Sequence, residues 1–282
     1  MIDVSVVGSL HLDIMVKAPR LPHRDETLVG SSWHYKCGGK GGNQAVAAAR
    51  FGAKTAFGGQ TGQDDFGDRL RASLQAAGVD VAHVDIDPAH GSGMSVAISE
   101  EAGEYGAVVV SGANLTIDAE AIASRWEALW QTKVLLLQNE IPEAVSLAAA
   151  RKARQQGALV ILNAAPAREM SQVFLNAVDV LVVNRVEARM LTGTDDPDRA
   201  LPALHAPRWD VVLTRGADGV ALMTRKGMRA DIPALPVKLV SSHGAGDCFC
   251  GALAARLAAG DDLEFACRLA SAAAGRFVSA PA

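Results

Sequence analysis

Short aliphatic runs alternate with helix-forming stretches through the second half of this chain, and no other feature restricts its fold as much. Residues 118–130 read as a helix and 134–138 as a strand. A helix over 142–156, closed by Gly157, leads to a strand over 158–162. Another strand, 178–183, runs into a helix over 185–191 that Gly193 ends. Strands follow at 211–213 and 219–224, and two alanine-rich helices, 245–259 and 263–279, close the pattern. Repeated strand–helix units of this kind build a doubly wound, mostly parallel α/β sheet with helices on both faces. The apolar residues are chiefly Ala, Val and Leu, with aromatics at only 5%, as expected of a sheet covered on both sides. At 282 residues the chain suits one large α/β domain with a small appendage.

The first half interrupts this rhythm. Residues 2–7 form a β-branched run that ends at Gly8, a buried strand. Residues 54–59 and 79–86 read as strands around a helix over 66–77, which Gly78 closes. Residues 11–35 contain Pro19, Pro22 and Gly30, so they hold short strands rather than a long helix. Residues 94–99 and 105–110 form a hairpin across a short polar turn containing Gly103. The glycine-rich stretch 38–42 reads as a loop feeding a helix that begins at Asn43 and stops near Gly52.

The formal net charge of −4 gives no ground for expecting nucleic acid or an anionic membrane as partner. An anionic substrate then needs a local positive site. No run reaches the roughly 18 apolar residues of a membrane span. The opening MIDVSVVGSL carries an acid where a signal peptide has basic residues, so the expected location is the cytoplasm. Cys37, Cys248, Cys250 and Cys267 fit reduced thiols there. The Cys248-x-Cys250 spacing matches neither a zinc knuckle nor a CxxC redox pair.

Ligands of open α/β sheets bind outside the carboxyl ends of the strands. The residues to inspect are therefore 8–13, 138–142, 163–168, 184–187, 214–219 and 241–247. The sharpest signal among them is Gly244-Ala245-Gly246-Asp247 ahead of an alanine-rich helix. Small residues let backbone amides close around an anion at a helix N-terminus. Asp247 would then accept the proton of an attacking hydroxyl during phosphoryl transfer. The plainer reading makes Asp247 an N-cap. Gly38-Gly39-Lys40-Gly41-Gly42-Asn43-Gln44 lacks the spacing of a Walker A loop. It is either a surface turn or a place where a ligand approaches the backbone while Lys40 and Asn43 bind sugar hydroxyls. Asp13 is either a surface acid or an acceptor for vicinal hydroxyls. Asn184 and Glu187 make a capping box at a helix start, or hold Mg²⁺ through water.

Together these motifs resemble the ribokinase, or PfkB, family of carbohydrate kinases across nearly the whole chain. GSLHLD is similar to that family's N-terminal substrate motif, and GGKGGNQAVAAARFGA to its first signature. SGAN, QNEIP, NAAPAR and NRVE follow in the family's order, and SSHGAGDCFCGAL resembles its second signature, D-T-x-G-A-G-D. The resemblance implies an ATP-dependent kinase acting on a sugar hydroxymethyl group, with D-ribose to ribose 5-phosphate the first expectation. It implies a small β lid from about residues 11–35 and 91–112. Asp247 would be the base, with the amides of Gly244, Ala245 and Gly246 as the anion hole. His11, Asp13, Gly39, Lys40, Asn43 and Glu140 would face the sugar. Asn184, Thr214, Arg215, Gly216 and His243 would lie by the nucleotide, and Asn184 and Glu187 would serve Mg²⁺. Exposed strand edges on a lid invite pairing with another copy, so a homodimer through the lid is expected.

Three departures from the family pattern stand out. His11 occupies a position where ribokinases usually have Asn, which changes one sugar contact. Ser241-Ser242 replaces the Asp-Thr that opens the second signature. That Asp helps hold a monovalent cation in ribokinases, so the resemblance implies weakened potassium activation here. The chain also ends soon after its last helix, where relatives continue, which leaves an open nucleotide pocket as the expectation. Two other readings compete. A ribonucleoside kinase of the same fold is motivated by His11, whose imidazole could face a base. A catalytically silent sugar-binding protein would have no need of the GAGD run. An NAD-dependent dehydrogenase lacks its GxGxxG after the first strand.

Overall fold

The computed structural model describes residues 1–100 and 105–280, so the expected turn around Gly103 lies outside the described residues. In chain order the strands begin with β1 (Ile2–Val7), β2 (His11–Ala18), β3 (Ser32–Gly38), β4 (Thr55–Gly62) and β5 (Asp80–Asp87). They continue with β6 (Met94–Glu100), β7 (Tyr105–Val110), β8 (Thr132–Gln138) and β9 (Leu159–Asn163). The last are β10 (Val180–Asn184), β11 (Asp210–Thr214), β12 (Val220–Met223) and β13 (Arg229–Ile232). Nine of them form one sheet in the order β13-β12-β11-β10-β9-β8-β1-β4-β5, parallel from β11 to β5 and antiparallel at β12 and β13. The other four make a separate sheet, β3-β2-β6-β7.

The helices are α1 (Lys40–Arg50), α2 (Asp65–Ala76), α3 (Ile122–Arg125), α4 (Glu143–Gln155) and α5 (Gln172–Leu175). After them come α6 (Arg185–Thr192), α7 (Pro197–Leu204), α8 (Ala245–Ala258) and α9 (Leu263–Ser279). Helices α1, α2, α8 and α9 cover one face of the large sheet and α3 to α7 the other. The strands obey the period of two that this arrangement demands. Val134 and Leu136 of β8 join one core, Leu135 and Leu137 the other, and all four are buried. Each such Leu or Val contributes about 1.5–3 kcal/mol of burial free energy. No described helix is long and apolar enough to cross a membrane.

The structure differs from the sequence reading at several points. Helix α1 begins at Lys40, three residues before the expected start, so the glycines form its cap and first turn rather than a loose loop. Close packing is the reason. A Cβ on Gly39, where φ is 84°, would lie 2.8 Å from the His11 amide nitrogen, and one on Gly41 would lie 2.7 Å from that of Ser9. The helix expected over 118–130 is broken into α3 and a 3₁₀ turn, Glu127–Trp130. Asp118 Oδ1 accepts hydrogen bonds from the amides of Glu120 and Ala121, and this local turn competes with helix initiation. Helix α7 was hidden by Pro197 and Pro202, yet Asp196 caps it and Pro197 fits its first turn. Strand β13 and the short α5 carried too few residues to show a period.

Candidate active site

The order of the large sheet reverses at β1. The chain leaves β1 for β4 and β5 on one side, and resumes on the other through β8. A crevice outside the carboxyl ends opens at such a point. Gly8 follows β1 there, Gln138 ends β8, and β2 carries the chain directly into the small sheet.

Asp247 reaches this crevice from α8. It is the third residue of that helix and only 8% exposed. Gly244, with φ 84°, occupies the cap position, so Asp247 is not the N-cap that its sequence context also allowed. Its carboxylate is turned instead toward α1. Asn43 Nδ2 donates to Oδ2 at 3.0 Å, and Gln44 Nε2 donates to Oδ1 at 3.0 Å. The two helices approach this closely because residue 251 is glycine. A Cβ there would lie 2.5 Å from both Ala47 Cβ and the Gln44 carbonyl oxygen. Burial pushes the Asp247 carboxyl above its ordinary pKa, while Lys40 and the two side-chain amides pull it back.

Two cavities meet at Asp247. The smaller, about 160 Å³, is lined by Lys40, Asn163, Asn184, Glu187, Thr214 and Gly246. The larger, about 520 Å³, is lined by Lys36, Asn43, Arg50, Phe51, His243 and Phe277. Asp247 and Gly244 border both. Lys40 and Asn43, expected side by side, therefore serve different cavities. His243, grouped with Asn184 and Thr214 in the sequence reading, lines the larger cavity, and those two line the smaller. Burial pushes its pKa down.

Glu140 stitches the crevice together. Its Oε2 accepts from the Lys40 amide at 2.8 Å and from the Ser9 hydroxyl. His11 is buried, with Nδ1 3.9 Å from the same oxygen. Burial lowers the His11 pKa against the pull of Glu140 and Asp13, so the ring is neutral at pH 7. Its Nε2 lies 3.4 Å from Asn114 Nδ2. The two hydrogens of that amide go to the carbonyls of Leu10 and Ser111, both at 2.8 Å, so the imidazole packs beside it. Asp13 accepts from the Ser95 hydroxyl on the neighbouring strand. Its other oxygen lies over Gly38, where a Cβ would come within 2.7 Å of it.

Asn184 and Glu187 complete the capping box that their spacing allowed. Asn184 Oδ1 accepts from the amides of Val186 and Glu187, and Glu187 Oε2 accepts from the Asn184 amide at 2.8 Å. Glu187 is nonetheless a buried carboxylate on the wall of the smaller cavity, and desolvation raises its pKa. Among the expected anion-hole amides, that of Ala245 donates to the Ser242 carbonyl at 3.2 Å. The Gly246 amide, in the first helical turn, has no intrahelical acceptor. Arg215 is held by Asp231 at 2.9 Å, and Gly216 opens an exposed 3₁₀ turn with φ 64°.

Sequence reasoning assigned no role to Ser9, Gln44, Asn114 or Gln138. Asn114 clamps the β1–β2 connection: Oδ1 accepts from the Leu10 amide at 2.9 Å and Nδ2 donates to the Leu10 carbonyl at 2.8 Å. The one available signal was that Asn114 and Gln138 fall within SGAN and QNEIP, and Gln44 within the first signature.

The carboxyl edge of this doubly wound sheet thus carries a buried aspartate at a helix N-terminus, with a lysine and a second buried carboxylate across one cavity, an arrangement suited to phosphoryl transfer to an alcohol group. The model of the pfkB family carbohydrate kinases matches residues 1–281, and the chain belongs to that family. It is 32% identical to a ribokinase of Haemophilus influenzae over 96% of this chain and 90% of that protein. It is 34% identical to a ribokinase of Bacillus subtilis over 96% and 91%. The structure of an Arabidopsis thaliana ribokinase complexed with ribose and ATP superimposes with a TM-score of 0.91 at 27% identity, covering 100% of this chain and 94% of that one.

Proposed function

We propose that this protein transfers the γ-phosphoryl group of ATP to the hydroxymethyl group of a sugar, with D-ribose giving ribose 5-phosphate as the favoured reaction. The observation that carries this reading is Asp247, a buried carboxylate where two cavities meet, with Lys40 on the wall of one and Asn43 on the wall of the other. The family and the ribokinase relatives support the sugar and the donor.

In this reading Asp13, His11, Glu140, Asn43 and the backbone at Gly39 bind the sugar hydroxyls. The hydroxymethyl oxygen is presented to Asp247, which takes its proton as the oxygen attacks phosphorus. Lys40 and the amides of Gly244, Ala245 and Gly246 stabilise charge on the transferring group. The Ala245 amide must exchange its bond to Ser242 to take part. Asn184, Thr214 and the turn at Gly216 border the nucleotide. Arg215 stiffens that border through Asp231, and His243 lies on the sugar side.

Among the described residues no three His, Cys, Asp or Glu side chains cluster as a metal cage. The buried carboxylate of Glu187, beside Asn184, is a donor set that suits Mg²⁺, an ion that keeps several waters and takes its other ligands from phosphate. Bound there, Mg²⁺ would neutralise phosphate charge.

The small sheet, with residues 11–35 and 91–112, acts as a lid in this reading. Its two edge strands, β3 with exposed Trp33 and β7 with exposed Val108, support a homodimer through the lid. The cytoplasm, where ATP is abundant, is the proposed location. A second reading, phosphorylation of a ribonucleoside, is favoured by the larger cavity of about 520 Å³ beside Asp247, whose walls of Phe51 and Phe277 suit a base, while of the sugar contacts named above only Asn43 borders it. Incubation with MgATP and a panel of pentoses, hexoses and nucleosides separates the two. ADP release fastest with ribose is expected, a preference for nucleosides selects the second, and no release with any acceptor overturns both.

A further inference from the structure

We propose that Gln44 and Gln138 form a two-amide relay that positions Asp247 and reserves its Oδ2 for the proton of the acceptor hydroxyl. The proposal rests on the reading of Asp247 as the base. Both glutamines are fully buried. Gln138 Nε2 donates to Gln44 Oε1 at 2.8 Å, and Gln44 Nε2 donates to Asp247 Oδ1 at 3.0 Å. The polarity of the chain is set at its end. An ionised carboxylate only accepts, so Gln44 must turn its NH₂ to Asp247 and its carbonyl to Gln138. The relay thus ties the end of β8 to α1 and α1 to α8, the three elements that frame the crevice.

Stability alone gives poor reason for this arrangement. Gln138 Oε1 is buried with no partner among the described residues, a cost that an apolar side chain of similar size avoids. Gly8 is also committed to it, since a Cβ there would sit 1.9 Å from Gln138 Oε1. The gain falls on the carboxylate. Oδ1 is held from the interior by a fully buried amide, whereas Oδ2 meets only half-buried Asn43, which lines the larger cavity. A hydroxyl entering from that cavity reaches Oδ2. Anchoring Oδ1 stops the carboxylate rotating, and donation to the charged form keeps it ionised despite burial. Gln44 and Gln138 are therefore positioning residues that act through Asp247.

The charged and titratable groups around Asp247 are Lys40 on α1, Glu140 after β8, His243 before α8, Cys248 and Cys250 within α8, Glu187 on α6 across the smaller cavity, and Lys36, Arg50 and Arg276 around the larger one. Changing either glutamine to methionine alters none of their charges. The experiment measures kcat, KM and the pH dependence of kcat/KM, with MgATP and the panel's best acceptor, together with thermal unfolding. It compares wild type, Gln44→Met, Gln138→Met, the double variant and Asp247→Asn. Gln44→Met should lower kcat about tenfold at neutral pH, with KM for the acceptor nearly unchanged, and move the acidic limb up by roughly one pH unit. Gln138→Met should move the limb the same way by less. The double variant should match Gln44→Met alone, because the far amide acts only through the near one. Unmoved limbs in both single variants, with only lowered melting temperatures, would reduce the pair to a packing role and overturn the relay. If Gln44→Met does not fold, the limb of Gln138→Met decides by itself. An active Asp247→Asn sinks the base assignment and the relay with it. An inactive Asp247→Asn beside unmoved glutamine limbs sinks the relay alone.

Discussion

Asn43 Nδ2 and Asp247 Oδ2 lie 3.0 Å apart, so the first turns of α1 and α8 share one carboxylate. Two glycine-containing helix starts, 204 residues apart in sequence, are thereby fixed against each other. A carboxylate in this position has a side-chain amide to displace or share when a hydroxyl arrives, and a low-dielectric surrounding that favours taking a proton. Asp247→Asn keeps the shape and removes the proposed base. Its kcat should fall by about 10²–10⁴-fold, while acceptor binding measured by calorimetry stays near that of wild type. A variant retaining a tenth of wild-type kcat or more would show that another group does this work.

The pH profile follows from the direction of the Asp247 shift. Burial raises its pKa above the ordinary carboxylate value, and the proposed base works only when ionised. The rate constant kcat/KM must therefore rise with pH through a limb lying above the ordinary carboxylate range, and be lost as pH falls through it. His11 and His243, both pushed below 6.5 by burial, are already neutral at pH 7 and add no second rise above it. An acidic limb at or below 3.8 contradicts the burial of the working carboxylate.

Much of this fold could be read from the sequence because strand and helix periods are local. Most of the alternation from residue 132 onward, apart from α5, α7 and β13, was visible, as were the terminal pair α8 and α9 and the two β-rich interruptions. What escaped was set by tertiary contact. The start of α1 depends on how closely Gly39 and Gly41 pack against residues 9–11, which no local pattern encodes. Asp247 was legible from GAGD, but its partners were not. Gln44 reads as one polar residue in an alanine-rich helix, and only the approach permitted by Gly251 reveals where it points. Asn184 and Glu187 were ambiguous for a different reason, since the same spacing caps a helix and lines a cavity, and here it does both.

Asn114 offers a structural test that the sequence would not have suggested. Its side chain satisfies both backbone groups of Leu10 at the joint between the two sheets. Asn114→Ala leaves buried polar groups unpaired, which costs about 1–3 kcal/mol for each. Denaturant unfolding should show a loss of that order, accompanied by a higher KM because the small sheet is less well placed. A loss below about 0.5 kcal/mol, the spread of neutral surface changes, would mean that the joint is held by other contacts.

The proposed lid can be tested directly. Acceptor binding should slow hydrogen exchange in residues 11–35 and 91–112, as closure excludes water and prevents idle hydrolysis of ATP. Strand β2 pairs with both β3 and β6, so its amides are protected beforehand. The change should concentrate in the exposed stretch around residues 19–31 and near Gly91 and Gly112. Equal protection in both segments at saturating acceptor removes the lid from the mechanism.

Potassium should stimulate this enzyme less than it does relatives that carry the full D-T-x-G-A-G-D signature. Ser241 stands where that signature opens with Asp, and a hydroxyl offers a hard cation only a dipole in place of a full negative charge. The surroundings reinforce the difference. The Ser241 oxygen accepts a hydrogen bond from the His243 amide at 3.3 Å, and the amides of Val240 and Ser241 are drawn to the carbonyl of Val278 at 2.8 and 3.2 Å. The serine is thus engaged within its own loop, although the segment still leads directly into Gly244 and the start of α8. Initial rates against potassium chloride, at constant ionic strength set by a large inert cation, should be nearly flat for the wild type. Ser241→Asp places a carboxylate beside the proposed anion-binding turn and should create saturable activation. Strong activation of the wild type at low millimolar potassium would mean that another carboxylate supplies the charge, and the role assigned to residue 241 would fall.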